Sequence, residues 1–362
     1  MKISIGTNIQ RGPWGGGNQF AINLHQYLEK RGIQVCFDLK DPAIDLILLT
    51  EPRTQLRVSA FGSHEILRYL LLKNPNALVV HRVNECDERK VTHNINPFVL
   101  SANRTADYTV FVSNWLKNLY VQLQFNRSNC VILNGANTET FHEKGYQPWD
   151  GKGTLKLVTH HWGGNWLKGF DIYQQLDQLM KTLKYKDLIG FTYIGQLPKG
   201  FRFSHATYKP PLFGEMLADS LRQNHVYLTA SRNEPGSNHQ NEGACCGLPL
   251  LYIQSGSLPE YCEGFGIPFQ PDNFEKKLDE MIDTYEEILP RMADFPHTAH
   301  RMCTEYELLF QELLDRRLEI ISKRTFPNQP LIVIRAFLPK LPTAGLIRKT
   351  KKVFERWTGL KN

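Results

Sequence analysis

The sequence has no long apolar run. No stretch of its 362 residues approaches the 18 or more apolar residues that a membrane-spanning helix requires. The opening segment, MKISIGTNIQR, turns polar too soon for a signal peptide. The 7 cysteines are an odd number in a chain without export signals, which favours reduced thiols over a disulfide framework. We therefore expect a cytoplasmic protein whose fold depends on neither membrane spans nor disulfides.

Several standard ligand-binding patterns are also missing. The segment GPWGGG at residues 12–17 is not G-x-G-x-x-G, and no GK[ST] follows it, so the usual dinucleotide fingerprint and the P-loop are both excluded. No D-x-D pair of carboxylates lies in a suitable loop. The neighbouring His160 and His161 have no third ligand at helical spacing, which argues against a metal site. We therefore expect neither a metal nor a cofactor.

The positive charge is concentrated near the end of the chain. The formal net charge is +7, and residues 331–362 contain eight basic residues and one acidic residue, so residues 1–330 are neutral on balance. This distribution argues against nucleic-acid binding by the chain as a whole. The basic segment also contains apolar residues such as Ile334 and Phe337. Either it lies on an anionic membrane surface, or it packs on the first domain and ends in a frayed basic segment.

Strands and helices alternate along the chain, which predicts an α/β fold. A strand at residues 2–7 is followed by the glycine-rich segment and an amphipathic helix, which is how a doubly wound domain opens. The pattern restarts after the segment QPWDGKG at residues 147–153. It predicts two Rossmann-like doubly wound parallel-sheet domains, residues 1–150 and 151–320, and a basic amphipathic tail at 321–362. Two long helices are expected at the end of the second domain, over 272–288 and 290–321.

The most informative stretch is SRNEPGSNHQNEGACCGLPL, residues 231–250, which lies between two short apolar segments that read as strands. Pro235-Gly236 forms an expected turn, Ser237 is an expected N-cap, and Gly247 is an expected helix stop. A strand, loop and short helix in this order place free backbone N–H groups at the carboxyl edge of a parallel sheet. Such an arrangement predicts a phosphate site.

Two carboxylates flank this expected phosphate site, Glu234 in the loop and Glu242 in the helix. Carboxylates accept two hydrogen bonds and therefore suit the vicinal hydroxyls of a sugar or ribose. On one helix the two residues would be about 12 Å apart, farther than the roughly 5–9.5 Å of a glycosidase pair, which discourages a hydrolase. A nucleotide-sugar ligand fits better, although two solvated carboxylates around an ordinary turn remain the alternative.

The pattern E-P-G-S-N-x-x-x-E-G-A-x-C-G-L-P closely resembles the E-x7-E segment of retaining GT-B glycosyltransferases of the family-4 type. The resemblance implies a GT-B fold, in which two domains face a cleft and the last helix crosses back to the first domain. It implies that residues 1–150 form the acceptor side and residues 151–320 bind the nucleotide-sugar. It also implies that Glu234 lies by the donor sugar and that Glu242 holds the ribose.

Lys168-Gly169 resembles the Arg…Lys-Gly pair of the same family, in which both basic residues neutralise the diphosphate. The arginine is missing here, so the resemblance implies weaker donor binding or compensation by another cation, with Asn165 or His161 as alternative donors. Asn134-Gly135-Ala136-Asn137 resembles the P-N-G-V-D segment that lines the cleft, with Leu133 in place of proline and Asn137 in place of aspartate. As plain sequence, Asn-Gly is only a turn.

Polar residues also lie at and just beyond the carboxyl end of the strand at 78–83, where doubly wound folds place their sites. His81 lies inside this strand and is more often a core histidine than a catalytic one. Asn84 and Glu85 follow the strand and are better candidates for the cleft. Whether any of the three takes part in catalysis stays open at this point.

These features predict a metal-independent hexosyltransferase that moves a sugar from a nucleotide-sugar, with retention, to a hydroxyl of a glycan or lipid-linked acceptor. The expected catalytic residues are Glu234 and Lys168. Lys168 is also counted among the expected donor-binding residues, which are Glu242, Gly236, Ser237, Asn238, Lys168, Asn165, Gly16, Gly17 and Asn134. Two alternatives share the fold: a nucleotide-sugar epimerase or phosphorylase, and a non-catalytic module that binds a nucleotide-sugar or a glycan.

Overall fold

Two parallel six-stranded sheets flanked by helices make up the described part of the computed structural model. The described residues are 1–10, 12, 14–123, 125 and 127–324. The basic segment at 331–362, with its predicted membrane contact, lies outside them. None of the described helices is both long and apolar enough to cross a membrane.

The first sheet is built from the beginning of the chain and alternates with four helices. Its elements are β1 Lys2–Ile5, α1 Gly16–Lys30, β2 Gln34–Cys36, β3 Leu46–Leu49, α2 Ser63–Leu72, β4 Leu78–Val83, α3 Ile95–Asn103, β5 Tyr108–Phe111, α4 Asn114–Gln122 and β6 Asn129–Val131.

The second sheet follows the same alternation and ends in three helices. Its elements are β7 Leu155–His161, α5 Phe170–Leu179, β8 Ile189–Gly195, β9 Thr207–Lys209, α6 Gly214–Arg222, β10 Val226–Thr229, α7 His239–Cys245, β11 Leu250–Ile253, α8 Leu258–Cys262, β12 Gly266–Phe269, α9 Phe274–Ile288, α10 Ala299–Asp315 and α11 Arg317–Ser322.

The sheets have the strand orders β2-β1-β3-β4-β5-β6 and β12-β11-β10-β7-β8-β9, and every strand pair is parallel. The order reverses between β1 and β3 in the first sheet and between β7 and β10 in the second. Parallel sheets of this kind bind ligands in the crevice that opens at such a reversal, at the carboxyl ends of the strands. The predicted doubly wound α/β fold with two Rossmann-like domains is confirmed.

Four inner strands are buried along their whole length because helices cover both faces of each sheet. All six residues of β4 and all four residues of β3, β10 and β11 are buried. Near the end of the described chain, α10 returns to the first sheet. Its Tyr306 ring packs on Phe20 of α1 with ring centroids 5.1 Å apart, and the Tyr27 hydroxyl donates to Glu307 Oε2 at 2.8 Å.

Some elements of the second half of the chain differ from the sequence prediction. The expected helix over 290–321 is interrupted: a 3-10 turn at Leu289–Asp294 ends before Pro296, and α10 begins only at Ala299, since proline removes a helical hydrogen bond. The alternation of strands and helices does not predict β12, an edge strand that contains Pro268, as edge strands tolerate.

Candidate functional site

A cavity of about 590 Å³ lies between the two sheets, at the carboxyl ends of their strands. The first domain lines it with the start of α1, the loop after β4 and the segment after β6. The second domain contributes the loops after β7 and β10 and the start of α7. Its volume suits a small-molecule ligand, and we call this cavity the cleft.

Lys168 and Glu234 meet at the base of the cleft. Lys168 follows β7 and Glu234 follows β10, the two strands that flank the reversal in the second sheet. Lys168 Nζ donates a hydrogen bond to Glu234 Oε1. The same oxygen also accepts from Ser231 Oγ at 2.6 Å. The two residues are 7% and 2% exposed, so this ion pair is formed away from bulk water.

A second cation reaches Glu234 from the first domain, because Arg89 Nε lies 3.4 Å from Glu234 Oε2. Burial by itself would raise the pKa of the Glu234 carboxyl, but Lys168 and Arg89 outweigh burial and hold this pKa well below its ordinary range. Glu234 is therefore a carboxylate at neutral pH. The described residues that line the cleft include four basic and two acidic side chains, Arg82, Arg89, Lys90, Lys168, Glu234 and Glu242.

Two glycines allow the backbone to bring Lys168 and Glu234 together. Gly169 has φ +95°, and a Cβ there would lie 2.4 Å from Ala230 Cβ, so only glycine fits between the turn that carries Lys168 and the end of β10. Gly256 has φ +60°, and a Cβ there would lie 2.5 Å from the backbone nitrogen of Glu234. The glycine of the Lys-Gly pair is thus required by packing.

Glu242 also lines the cleft and is held by a histidine. Glu242 Oε2 is 2.7 Å from His160 Nε2, and His160 Nδ1 is 3.0 Å from the Tyr227 hydroxyl. The next residue in the helix, Gly243, packs on Tyr227, since a Cβ there would lie 2.3 Å from the ring. Close packing of α7 on β10 therefore fixes the position of the Glu242 carboxylate.

Ser237 is not the N-cap that the sequence predicts. The helix α7 begins at His239, and Asn238 occupies the N-cap position without a capping side-chain bond. The Ser237 hydroxyl instead donates to Gln240 Oε1 at 2.8 Å, and Gln240 Nε2 donates back to the Ser237 carbonyl at 2.8 Å. Within the described part of the chain, no acceptor binds the backbone N–H groups of Gly236, Ser237 or Asn238. These groups lie at the cleft.

Asn134 lines the cleft and also joins the two domains. Its Oδ1 accepts from Arg82 Nη2 at 2.8 Å, and its Nδ2 donates to the Gly236 carbonyl at 2.6 Å. Gly236 packs directly on the end of β5, because a Cβ there would lie 2.6 Å from Val112 Cγ2. The loop that carries Glu234 is therefore positioned by contacts with the first domain.

The remaining predicted donor-binding residues also line the cleft. Gly16 and Gly17 are the first two residues of α1, not part of a loop before it. A Cβ at Gly16 would meet nothing within 4 Å, and one at Gly17 would lie 3.5 Å from Asn84 Nδ2. Asn165 is exposed and immediately precedes the 3-10 turn Trp166–Lys168.

The candidates after β4 separate into three environments. His81 is 1% exposed and is bonded to Asn103 Nδ2 at 3.0 Å, and burial lowers its pKa to about 3, so it is a neutral core residue. Asn84 lines the cleft. Glu85 is buried beneath the cleft in a group of ion pairs, at 3.5 Å from Arg53 and 3.3 Å from Arg89.

His161 lines the cleft but lies mostly inside the second domain. It is 3% exposed, and its Nε2 lies 2.7 Å from the Tyr173 hydroxyl. Burial holds the pKa of His161 well below its ordinary value. It is therefore neutral and already engaged inside the second domain. Among the described residues, no group of three or more His, Cys, Asp and Glu side chains is arranged to hold a metal ion.

The chain matches no protein-family model and no curated protein sequence. Solved structures do match it. A glycosyltransferase from Rickettsia africae superposes with a TM-score of 0.61 at 12% identity, over 90% of this chain and 99% of that one. Sucrose-phosphate synthase from Thermosynechococcus elongatus gives 0.60 at 12% identity, over 87% and 99%. Anabaena Alr3699/HepE, solved with UDP and glucose, gives 0.58 at 13% identity, over 88% and 99%.

The chain has the GT-B fold. The structural match covers 87–90% of this chain and 99% of each of these three proteins. At 12–13% identity the likeness concerns the fold alone. Within the GT-B cleft of this chain, sequence reasoning misses three residues. Arg82 lies inside the apolar strand β4 and Arg89 lies in the loop after it, neither within a recognisable pattern, and His160 is considered only as a metal ligand.

Proposed function

We propose that this GT-B protein transfers a sugar from a nucleoside diphosphate sugar to an acceptor hydroxyl, with retention of the anomeric configuration. One observation carries the proposal. At the strand-order reversal of the second sheet, a buried lysine and a buried carboxylate meet at the base of a cleft whose described lining has more cations than carboxylates. This combination suits a ligand that carries both phosphates and sugar hydroxyls.

The donor diphosphate would lie against Lys168 and the backbone N–H groups of Gly236, Ser237 and Asn238. These groups are fixed by the fold before a ligand arrives, and they have no acceptor among the described residues. As the bond from the sugar to the diphosphate breaks, negative charge develops on the departing phosphate oxygen. Fixed donors stabilise this charge without reorganisation, which is the expected main source of rate.

The two carboxylates would bind hydroxyl groups on different parts of the donor. Glu234 is ionised and faces the cleft next to Lys168, so it can accept hydrogen bonds from the transferred sugar. Glu242 would accept from the ribose, and His160 holds its carboxylate in place. This assignment separates the charge-stabilising groups from the hydroxyl-binding groups.

In the proposed reaction the acceptor oxygen forms a new bond to the anomeric carbon, while the bond from that carbon to the diphosphate breaks. The electron pair leaves with the diphosphate, and the acceptor proton passes to a phosphate oxygen. Glu234 is tied to Lys168, Arg89 and Ser231, which suits a hydrogen-bond acceptor better than a nucleophile. No covalent sugar–enzyme intermediate is therefore required. The acceptor proposed is a glycan or a lipid-linked sugar.

A thermal-shift screen with UDP, GDP, ADP, TDP and CMP tests the donor site. UDP is tested first because Anabaena HepE was solved with it. Ligand at about 100 times its Kd should stabilise the protein by about 2.7 kcal/mol. The expected result is a shift with one of them that is lost in Glu242→Ala. No shift with any nucleotide would contradict the proposed donor site.

Turnover separates the enzyme from a binding module with the same fold. The purified protein is incubated with the sugar donors of the nucleotide that binds, with and without candidate acceptors, and release of free nucleotide is measured. A transferase releases nucleotide faster when an acceptor is present. If the protein binds the nucleotide-sugar but never releases free nucleotide from it, the protein is a non-catalytic binding module and the proposed activity is wrong.

A further inference from the structure

Arg89 bridges the cleft from the first domain to the proposed donor site of the second. Its Nε lies 3.4 Å from Glu234 Oε2, and its Nη1 lies 3.3 Å from Glu85 Oε1. The same loop is docked on the opposite domain by a second contact, in which Asn233 Nδ2 donates to the Glu88 carbonyl at 3.2 Å. Arg89 is thus held at the cleft by its loop as well as by its own charge.

The guanidinium of Arg89 has hydrogen-bonding capacity that the described protein does not use. Its Nε is buried and has no hydrogen-bond partner among the described residues, since the contact with Glu234 is an ion pair without hydrogen-bond geometry. Burial alone would lower the pKa of Arg89, but Glu234 and Glu85 raise it above its ordinary value. The side chain is therefore a charged donor that lines the cleft.

Releasing Arg89 from its present partners would leave no buried carboxylate unpaired. Glu85 also contacts Arg53 and Lys90, both at 3.5 Å. Glu234 keeps its bonds to Lys168 and Ser231. An isolated buried charge is costly, so this redundancy matters: Arg89 can turn towards a ligand while both carboxylates stay neutralised.

We propose that Arg89 is the second cation for the donor diphosphate and that it acts from the first domain, opposite Lys168. This inference rests on the proposed function. The segment before Lys168, residues 162–167, reads WGGNWL, so the second domain supplies no arginine there. A guanidinium can bind two phosphate oxygens at once, and a cation on each side of the diphosphate would enclose it.

Calorimetric titration of pairs of ligands tests the inference: UDP with uridine, GDP with guanosine and ADP with adenosine. Each pair differs only in the phosphates. In Arg89→Gln we expect the affinity for the binding nucleoside diphosphate to fall about tenfold or more, while the affinity for its nucleoside stays within twofold. Arg89→Lys keeps the charge but loses the two parallel N–H donors of the guanidinium. Its affinity for the nucleoside diphosphate should lie between those of the wild type and Arg89→Gln.

The control is Arg316→Gln, which removes one positive charge from an exposed surface pair with Glu312 and should bind like the wild type. Melting curves confirm that each variant is folded. An unchanged affinity for the nucleoside diphosphate in Arg89→Gln would overturn the inference. An equal loss of affinity for the nucleoside diphosphate and the nucleoside would also overturn it, because a merely structural role of Arg89 predicts that result. If the wild type binds no nucleoside diphosphate, the proposed function fails and this inference fails with it.

Discussion

Asn134 Nδ2 donates a 2.6 Å hydrogen bond to the carbonyl of Gly236, and this bond joins the first domain to the loop that carries Glu234. The same side chain accepts from Arg82 at 2.8 Å, which fixes the orientation of its amide. Since Arg82 can only donate, Asn134 must present its oxygen to Arg82 and its nitrogen to Gly236. The buried arginine thereby determines which way the amide faces.

Asn134→Asp is expected to impair transfer more than folding. Aspartate still accepts from Arg82, but it cannot donate to Gly236 and places a carboxylate against a carbonyl. We expect kcat/KM to fall by about tenfold or more, since small displacements of a reacting group are costly. Free energies of unfolding from urea titration should change by only about 0.5–1.5 kcal/mol, the usual value of one hydrogen bond.

Asn137→Asp is the matched control, because Asn137 Oδ1 accepts from the backbone of Glu139 at 2.9 Å and an aspartate would accept the same bond. We expect its kcat/KM to stay within a few-fold of the wild type. Equal losses in both variants would show that added negative charge, and not the bond to Gly236, causes the effect.

The sequence is enough to predict that Lys168 and Glu234 lie at one edge of the second sheet. Lys168 and Glu234 each follow a short apolar strand, and their placement needs only the rule that parallel strands present their carboxyl ends at one edge. The helix start is misplaced by one residue, because nothing in the local pattern shows that Gln240 bonds to Ser237. Errors of this kind are local and leave the position of the Glu242 carboxylate in the cleft intact.

The contacts between domains are beyond sequence reasoning. Arg89 and Glu234 are 145 positions apart, and their contact depends on how two separately folded sheets pack. The Asn-Gly pair at 134–135 reads as a simple turn. In the structure, a Cβ at Gly135 would lie 2.1 Å from the Thr298 carbonyl oxygen, so the glycine is required by a distant segment. No spacing rule along one chain carries that information.

Gly169→Ala tests whether the glycine after Lys168 is needed for packing. Alanine would have to adopt φ +95° with its Cβ 2.4 Å from Ala230 Cβ. We expect a loss of about 2–4 kcal/mol in the free energy of unfolding, from backbone strain and overpacking together. Gly163→Ala is the control, since its Cβ would meet nothing closer than 3.8 Å. Similar urea midpoints for both variants would contradict this account.

Glu234→Gln should abolish most of the turnover without weakening nucleotide binding. The amide removes a negative charge beside the proposed diphosphate site, so nucleoside diphosphate affinity should stay equal or increase. Turnover should fall about a hundredfold or more if the carboxylate acts on the sugar during transfer. Stability should also fall, because Lys168 is left buried without its counter-ion.

The control for Glu234→Gln is Glu139→Gln, which removes one carboxylate from an exposed pair with Lys30. It should match the wild type in turnover, nucleotide affinity and melting temperature. A Glu234→Gln variant that turns over normally would remove this residue from the proposed mechanism, whatever its stability.

The buried His81 makes stability depend on pH. Burial lowers its pKa to about 3 in the folded chain, whereas an unfolded histidine has a pKa of about 6.5. Below pH 6.5 the unfolded chain therefore binds a proton that the folded chain does not, so His81 stabilises the fold above pH 6.5 and this stabilisation is lost as the pH falls. Between pH 7.5 and 5.5 the loss from this residue should be about 1.4 kcal/mol.

Urea unfolding of the wild type and of His81→Gln at both pH values isolates the effect of His81, because the two proteins share all other titrating groups. We expect the variant to be less stable at pH 7.5 but to lose less stability on acidification. Parallel losses would mean that the pKa of His81 is the same in the folded and the unfolded chain.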